Sequence, residues 1–162
     1  MIAAKWCIVP ILPNQGSFHP GRSKYIHNSL NFEVSEELRA SPQQVYDAWL
    51  NSDEHSAMTG GEAVVSDLVG DSFTAWDGYI EGKNIELTPG SRIVQHWRTS
   101  EFEDSDEDSR LEIDFKARNG NTLVTIRHSN LPEHGMQYKM GWVENYFDPM
   151  KAYLSKSLPD KG

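Results

Sequence analysis

Histidine and cysteine are the residues of this sequence that most often build reactive or metal sites, so their spacing comes first. The chain has a single cysteine, Cys7, and six histidines. A metal site needs its ligands clustered at short, regular spacings, and these residues are scattered instead. The sequence therefore predicts neither a metal site nor a cofactor. The histidines are His19, His27, His55, His96, His128 and His134.

His128 is the histidine whose neighbours place it in an apolar setting. It alternates with Val124 and Ile126, so on a strand the three side chains share one face, which we expect to be buried. There the ring would orient a carbonyl or hydroxyl group of a ligand, or act with Tyr79 as acid or base. The alternative is a structural histidine bonded to backbone or to a neighbouring side chain. Structural histidines are more common, and no carboxylate is clearly placed beside His128.

Other reactive patterns are weak. The acidic run EFEDSDEDS, residues 101–109, lacks the glycine and the ligand periodicity of a calcium loop, so we interpret it as a solvated loop between two strands. No glycine-rich phosphate loop or nucleophile elbow occurs.

Large apolar side chains suggest a cavity. Aromatic rings would form its walls and methionines, with Met140 among them, its adaptable parts. The alternative is that the same residues fill a solid core, and both interpretations stay open. The predicted cavity residues are Trp49, Met58, Phe73, Trp76, Tyr79, Trp97, Phe115, Ile126, His128, Trp142, Tyr146 and Met150.

Charge and composition limit the partners. The 162 residues carry a net charge of −9, which opposes nucleic acid and anionic membranes. A chain of this length favours one domain, no apolar run reaches the roughly 18 residues of a membrane span, and one cysteine permits no internal disulfide. We expect a cytoplasmic protein without a signal peptide. The composition does not indicate an oligomeric state.

The elements that would hold these residues begin near residue 28, after a predicted flexible arm over residues 1–27 that is rich in proline and glycine. Residues 31–40 alternate as a strand. Ser41, Pro42 and Gln44 then predict a capped helix start, and a second short helix through Met58 ends at glycines.

After residue 61 the hydrophobic period changes to two. Short turns such as Asp77-Gly78 and Asn119-Gly120 separate the predicted strands, which indicates hairpins and an antiparallel sheet. The predicted strands are 62–66, 72–76, 79–87, 91–99, 110–118 and 122–130.

The stretch GWVENYFDPMKAYL, residues 141–154, predicts an amphipathic helix in spite of Pro149. At 100° per residue its large apolar side chains, Tyr153 included, share one face, and Asn145 lies on the solvent side with Pro149 at its flank. Burying each apolar side chain is worth about 1.5 to 3 kcal/mol, which outweighs the roughly 3 kcal/mol that proline costs in a helix. A curled antiparallel sheet would need such a helix as its cover.

Three stretches carry a family resemblance: ELTPGSRIVQHWR, TLVTIRHSNLPE and YKMGWVENYFDPMKAYL. Their order and spacing closely resemble the START-like superfamily, and within it the branch of the activator of the ninety-kilodalton heat-shock protein ATPase, over about residues 30 to 156. The resemblance implies an α+β helix-grip fold. A curved antiparallel sheet of six to seven strands would wrap around a long C-terminal helix, with two short helices after the first strand, in one domain over residues 28–162.

The resemblance also implies functions. Many relatives admit a hydrophobic small molecule between sheet and helix, so we expect a non-enzymatic protein that binds a lipid-like or aromatic molecule. A chaperone partner, a stress-related role, or an enzyme resembling the polyketide cyclases and aromatases of the superfamily are the alternatives.

Overall fold

The structure, a computed structural model, describes residues 30–157. The predicted arm at residues 1–27 lies outside the described residues. In chain order the elements are β1 (Leu30–Leu38), α1 (Pro42–Trp49), α2 (Ser52–Thr59), β2 (Ser72–Ala75), β3 (Ile80–Thr88), β4 (Arg92–Thr99), β5 (Ser109–Arg118), β6 (Asn121–Leu131), a 3-10 turn (Glu133–Met136), α3 (Gln137–Trp142), a π-helical turn (Val143–Phe147) and α4 (Asp148–Ser157). The segment from α3 through α4 is called the C-terminal helix below.

The six strands form one antiparallel sheet in the order β1-β6-β5-β4-β3-β2. Strands β2 to β6 follow one another as a meander: short turns join β2 to β3, β3 to β4 and β5 to β6, and the acidic loop 100–108 joins β4 to β5. Its inner face carries Leu111 opposite His128 and Ile113 opposite Ile126, all nearly free of solvent. The C-terminal helix covers this face, with the Trp142 ring against Trp97. The α+β helix-grip fold predicted from the sequence is confirmed.

The prediction of a strand at 62–66 is wrong. In that stretch only Val64 pairs, through an isolated bridge to Thr74. The N–H groups of Ala63 and Val65 donate to the hydroxyls of Ser56 and Ser52 in helix α2 and are therefore not available to a neighbouring strand. The sheet therefore has six strands.

The caps of the two short helices follow the sequence signals. The Ser41 hydroxyl accepts the Gln44 N–H while the Gln44 side chain accepts the Ser41 N–H, which is the predicted capping box. Helix α2 ends at Gly60, whose φ of +89° is the left-handed conformation that glycine adopts at low cost. These caps place Trp49 and His55 on the inner side of the helix pair.

The C-terminal helix departs from the regular α-helix that the sequence predicts. In its π-helical turn the Asp148 N–H donates to the carbonyl of Val143, five residues earlier. A π turn rotates less per residue than an α turn, so Asn145 moves from the predicted solvent side to a position only 7% exposed. Tyr153, predicted on the buried face, is half-buried, and its hydroxyl donates to Glu54.

Pro149 lies in the first turn of α4, directly after the π-helical turn. Replacing it with alanine should change the free energy of unfolding by less than about 1 kcal/mol, because proline is tolerated in a first helical turn. In a regular helix interior the same change would stabilise by about 3 kcal/mol. Urea unfolding measures the difference. Ala152→Gly, at an exposed position of the same helix, is the control and should cost about 1 kcal/mol. A gain near 3 kcal/mol for Pro149→Ala would contradict this account.

No helix among the described residues is both long enough and apolar enough to cross a membrane.

Candidate functional site

Five of the predicted cavity residues meet in one aromatic cluster centred on Trp142. The Trp142 ring lies 4.8 Å from Tyr146, 5.6 Å from Trp97, 5.8 Å from His128 and 6.2 Å from Trp49, centroid to centroid. Tyr146 also stacks on Trp49 at 5.0 Å. The sheet, helix α1 and the C-terminal helix each supply members, so this cluster joins the three parts of the fold.

His128 is the middle member of a chain of hydrogen bonds that runs from the Trp142 indole to the Trp97 carbonyl. Trp142 Nε1–H donates to His128 Nδ1 at 3.0 Å, and since an indole nitrogen can only donate, Nδ1 carries no proton. The proton is therefore on Nε2, which donates to Ser109 Oγ at 2.8 Å, and the Ser109 hydroxyl donates to the Trp97 carbonyl at 2.8 Å. Both ring nitrogens are paired in the neutral form of the imidazole.

Burial lowers the pKa of His128 to about 3, because the protonated ring would lose its hydration. Protonation of Nδ1 would also break the bond from Trp142. The ring is thus neutral at physiological pH and bonded to neighbouring side chains, as in the structural interpretation of His128.

A second histidine, His55, forms a buried pair that the sequence did not indicate. Its Nδ1 lies 2.8 Å from the Trp49 carbonyl, an acceptor, so Nδ1 carries the proton. Its Nε2 then accepts from the Tyr146 hydroxyl at 2.7 Å. Burial lowers the pKa of His55 to about 4 and raises the pKa of Tyr146. His55, on helix α2, thus bonds both the end of α1 and the π-helical turn.

The other predicted cavity residues are buried around this cluster. The Phe115 ring packs against Tyr46 at 5.9 Å, and Phe73 lies so close to Gly82 that a Cβ there would come within 2.8 Å of its ring. Each of them is at most 6% exposed; they are Met58, Phe73, Trp76, Tyr79, Phe115, Ile126 and Met150. Met140, also predicted as a wall, is instead 48% exposed because it lies on the outer side of α3.

Tyr79 belongs to a different polar group, at the ends of β3 and β4. Its hydroxyl donates to the Glu101 carboxylate at 2.8 Å, and burial, first among several causes, raises its pKa. Beside it the Thr99 hydroxyl lies 2.7 Å from the Tyr138 hydroxyl, which lies 3.1 Å from His134 Nε2. This hydroxyl chain runs from the inner face of the sheet to a half-buried histidine.

Two of the buried polar residues that the sequence analysis did not predict, Thr99 and Tyr138, could have been found from the sequence. Thr99 has the same strand parity as Trp97, and Tyr138 precedes Trp142 by one helical turn, so both face inward. His55 had no such signal, because its partner Tyr146 is 91 residues away in sequence.

The described residues contain no group of three or more histidine, cysteine, aspartate or glutamate side chains arranged to hold a metal ion. Surface pockets are present among these residues. One, of about 420 Å³, opens between β1 and β6 near Arg127. Another, of about 390 Å³, lies between helix α1, the loop that contains Asp67 and the β3–β4 turn that contains Pro89.

Comparison with known proteins gives the family. The family model described as Activator of Hsp90 ATPase homolog 1-like protein matches residues 39–155. A curated protein of Dictyostelium discoideum, named Activator of 90 kDa heat shock protein ATPase homolog, is 31% identical over 128 residues, 77% of this chain and 33% of the relative. The chain thus spans about a third of the length of that relative.

Solved structures agree on the fold. An HSP90 activator from Plasmodium falciparum superposes with a TM-score of 0.70 at 24% identity, over 77% of this chain and 96% of its own. The Aha1 dimer from Colwellia psychrerythraea superposes with a TM-score of 0.67 at 17% identity, over 82% of this chain and 99% of its own. With the START-like fold in place and the family model matching most of its length, the chain belongs to the family of Activator of Hsp90 ATPase homolog 1-like proteins.

Proposed function

We propose that this protein binds the 90-kDa heat-shock protein in the cytoplasm and raises its ATPase activity. The observation that supports this proposal is the 31% identity, over 77% of this chain, to a relative named as an activator homologue of that ATPase. The geometry is compatible with a binding role. The buried histidines His55 and His128 have both ring nitrogens bonded to other groups of the domain, so we assign them to the stability of the domain and place the contact with the chaperone on its surface.

The test is the ATPase rate of the purified chaperone as this protein is titrated into it. We expect a saturable rise in ADP production, because an activator works through a complex of defined stoichiometry. The protein alone controls for hydrolysis of its own, and the heat-unfolded protein controls for nonspecific effects. A rate that stays flat while the folded protein is in excess would remove the proposal.

A second candidate function is the binding of a hydrophobic small molecule in the interior, where the predicted cavity residues lie. The hydroxyl chain favours it. Tyr79, Thr99 and Tyr138 place hydroxyl groups beside the aromatic rings of Trp97 and Phe102, the pairing of polar and apolar groups that binding pockets use. An aromatic or lipid-like molecule with one polar end is the ligand class that suits such a wall. The enzymatic alternative, a cyclase-like reaction, would have to use these hydroxyls, since His128 is neutral and fully paired.

Met150→Trp separates a binding interior from a solid one. Met150 is fully buried. If a cavity adjoins Met150, the indole should fill that space and abolish binding of a hydrophobic fluorescent probe. The unfolding midpoint should then equal that of the wild type within error. In a solid core the wild type should not bind the probe, and the larger side chain should cost about 1 to 3 kcal/mol by overpacking. Met140→Trp, at an exposed site, is the control. Probe fluorescence and thermal unfolding of the three proteins decide between the two.

A further inference from the structure

The smaller surface pocket has apolar and acidic parts. Its volume is about 390 Å³, and Tyr46 and Leu50, both buried residues of the α1 region, form its base, while the exposed Pro89 of the β3–β4 turn lines one side. Its rim is polar and exposed. The rim residues are Gln43, Asp47, Asn51 and Asp67.

The carboxylates of Asp47 and Asp67 both influence the ionisation of the Tyr46 hydroxyl. The pKa of Tyr46 is raised by burial and, in addition, by the negative charges of Asp47 and Asp67. Asp47 and Asp67 come from different elements, helix α1 and the loop after residue 65, and converge on one opening. One oxygen of Asp47 accepts from the Gln43 amide at 2.9 Å. The opening therefore carries a negative potential over an apolar base.

Next to the pocket, the loop 66–71 exposes apolar side chains. Leu68 and Val69 are each 60% exposed and directly follow Asp67. Large apolar side chains exposed side by side are a feature of interaction surfaces rather than of ordinary loops.

A buried amide holds this loop in place. Asn84, 1% exposed, donates from Nδ2 to the carbonyls of Ser66 and Leu68 at 2.9 and 3.0 Å. Its backbone bonds Gly70 and Asp71, and its Oδ1 accepts from the buried Gln95 at 2.9 Å. A satisfied polar network in the sheet thus fixes a loop whose tip is exposed and apolar. Fixing a surface before binding lowers the entropy cost of association.

We propose that this pocket and loop tip dock a polypeptide segment that presents an arginine or lysine between apolar residues. The aliphatic part of the basic side chain would lie on Tyr46 and Leu50, and its cation would meet Asp47 and Asp67. The apolar neighbours would cover Leu68 and Val69. The net charge of −9 adds a long-range attraction for a basic segment and opposes an anionic one.

The inference extends the proposed function by naming the surface where a segment of the chaperone would bind. It rests on the proposed function only in taking the chaperone as the partner. The probe is the peptide acetyl-Leu-Arg-Leu-Val-amide, titrated into the ¹⁵N-labelled full chain. Its partner peptide carries citrulline, the uncharged analogue of arginine. We expect amide shifts confined to residues 43–51, 66–71 and 87–91, and binding about fivefold weaker for the citrulline peptide, the effect of an exposed ion pair.

The variants locate the interaction. Asp47→Asn with Asp67→Asn should reduce the affinity for the arginine peptide about fivefold and make the two peptides equal. Glu103→Gln with Asp104→Asn removes the same charge from the exposed loop before β5 and should change nothing. Leu68→Ser with Val69→Ser should weaken both peptides while keeping their ratio. All these residues are exposed, so a native amide spectrum is expected for each variant.

Several outcomes would overturn the inference: equal binding of the two peptides by the wild type, an unaffected double aspartate variant, or shifts at other surfaces. Concentration-dependent shifts of the free protein at these amides would assign the surface to a second copy of the chain and overturn it also. Peptide binding without stimulation of the chaperone ATPase would remove only the proposed function. Stimulation without peptide binding would remove only this inference.

Discussion

Replacing Trp142 with alanine should lower the free energy of unfolding by about 3 to 5 kcal/mol. The indole is 1% exposed and packs against rings from β4, β6, α1 and the π-helical turn. Its removal would open a cavity where all these elements meet and would leave His128 Nδ1 without its donor. Chemical unfolding of wild type and variant gives the difference.

Trp142→Phe divides this loss into packing and hydrogen bonding. Phenylalanine keeps much of the bulk but has no N–H, so the part due to the unpaired His128 nitrogen should remain, about 1 to 3 kcal/mol. Met140→Ala, half-exposed on the same helix, should cost less than about 0.5 kcal/mol. A loss below about 1 kcal/mol for Trp142→Ala would mean that this helix face does not carry the core.

Strands with one wet face, such as β5 and β6, were predictable from their alternation. In β6 the alternation places Val124, Ile126 and His128 inward, and all three are free of solvent, as the period of two requires. Asn119 and Gly120 both take positive φ, as the turn between β5 and β6 demands. Local pattern and turn chemistry were enough here because neither depends on distant partners.

What the sequence could not predict depends on distant partners or on helical register. Residues 62–66 alternate like a strand, yet only Val64 pairs, and strand pairing is not a local property. Asn145 was placed toward solvent because every residue was given 100° of rotation, which the π-helical turn does not keep. His55 meets Tyr146 only when the C-terminal helix folds back onto α2. Of the predicted cavity residues, Trp49, Trp97, Trp142, Tyr146 and His128 contact one another, whereas their hydrogen-bond partners His55 and Ser109 were not among the predicted residues. Whether these residues enclose a ligand stays a prediction.

The protein should lose stability steeply as the pH falls from 7 to 5. His128 and His55 have pKa values lowered to about 3 and about 4 by burial, whereas in the unfolded chain a histidine titrates near its ordinary 6.5. Between those limits the unfolded state binds more protons than the folded state, so acid favours unfolding. The stability is complete above pH 6.5 and declines toward the folded pKa values. At 1.36 kcal/mol per pH unit, each histidine should remove about 2 kcal/mol by pH 5.

His128→Gln tests the assignment through the slope rather than through the absolute stability. The variant starts less stable at pH 7, because the donor and acceptor of glutamine are both at the tip of its side chain and do not occupy the two positions from which the ring bonds Ser109 and Trp142. Its loss between pH 7 and 5 should nevertheless be smaller than that of the wild type by about 2 kcal/mol, because one titrating group has gone. His96→Gln, the same replacement at an exposed position of β4, is the matched control. If His128→Gln kept the wild-type slope, the ring in the folded protein would have to take up its proton over the same pH range as the ring in the unfolded chain. The hydrogen from Trp142 to Nδ1 would then have no acceptor, and the central bond of the aromatic cluster could not exist as described.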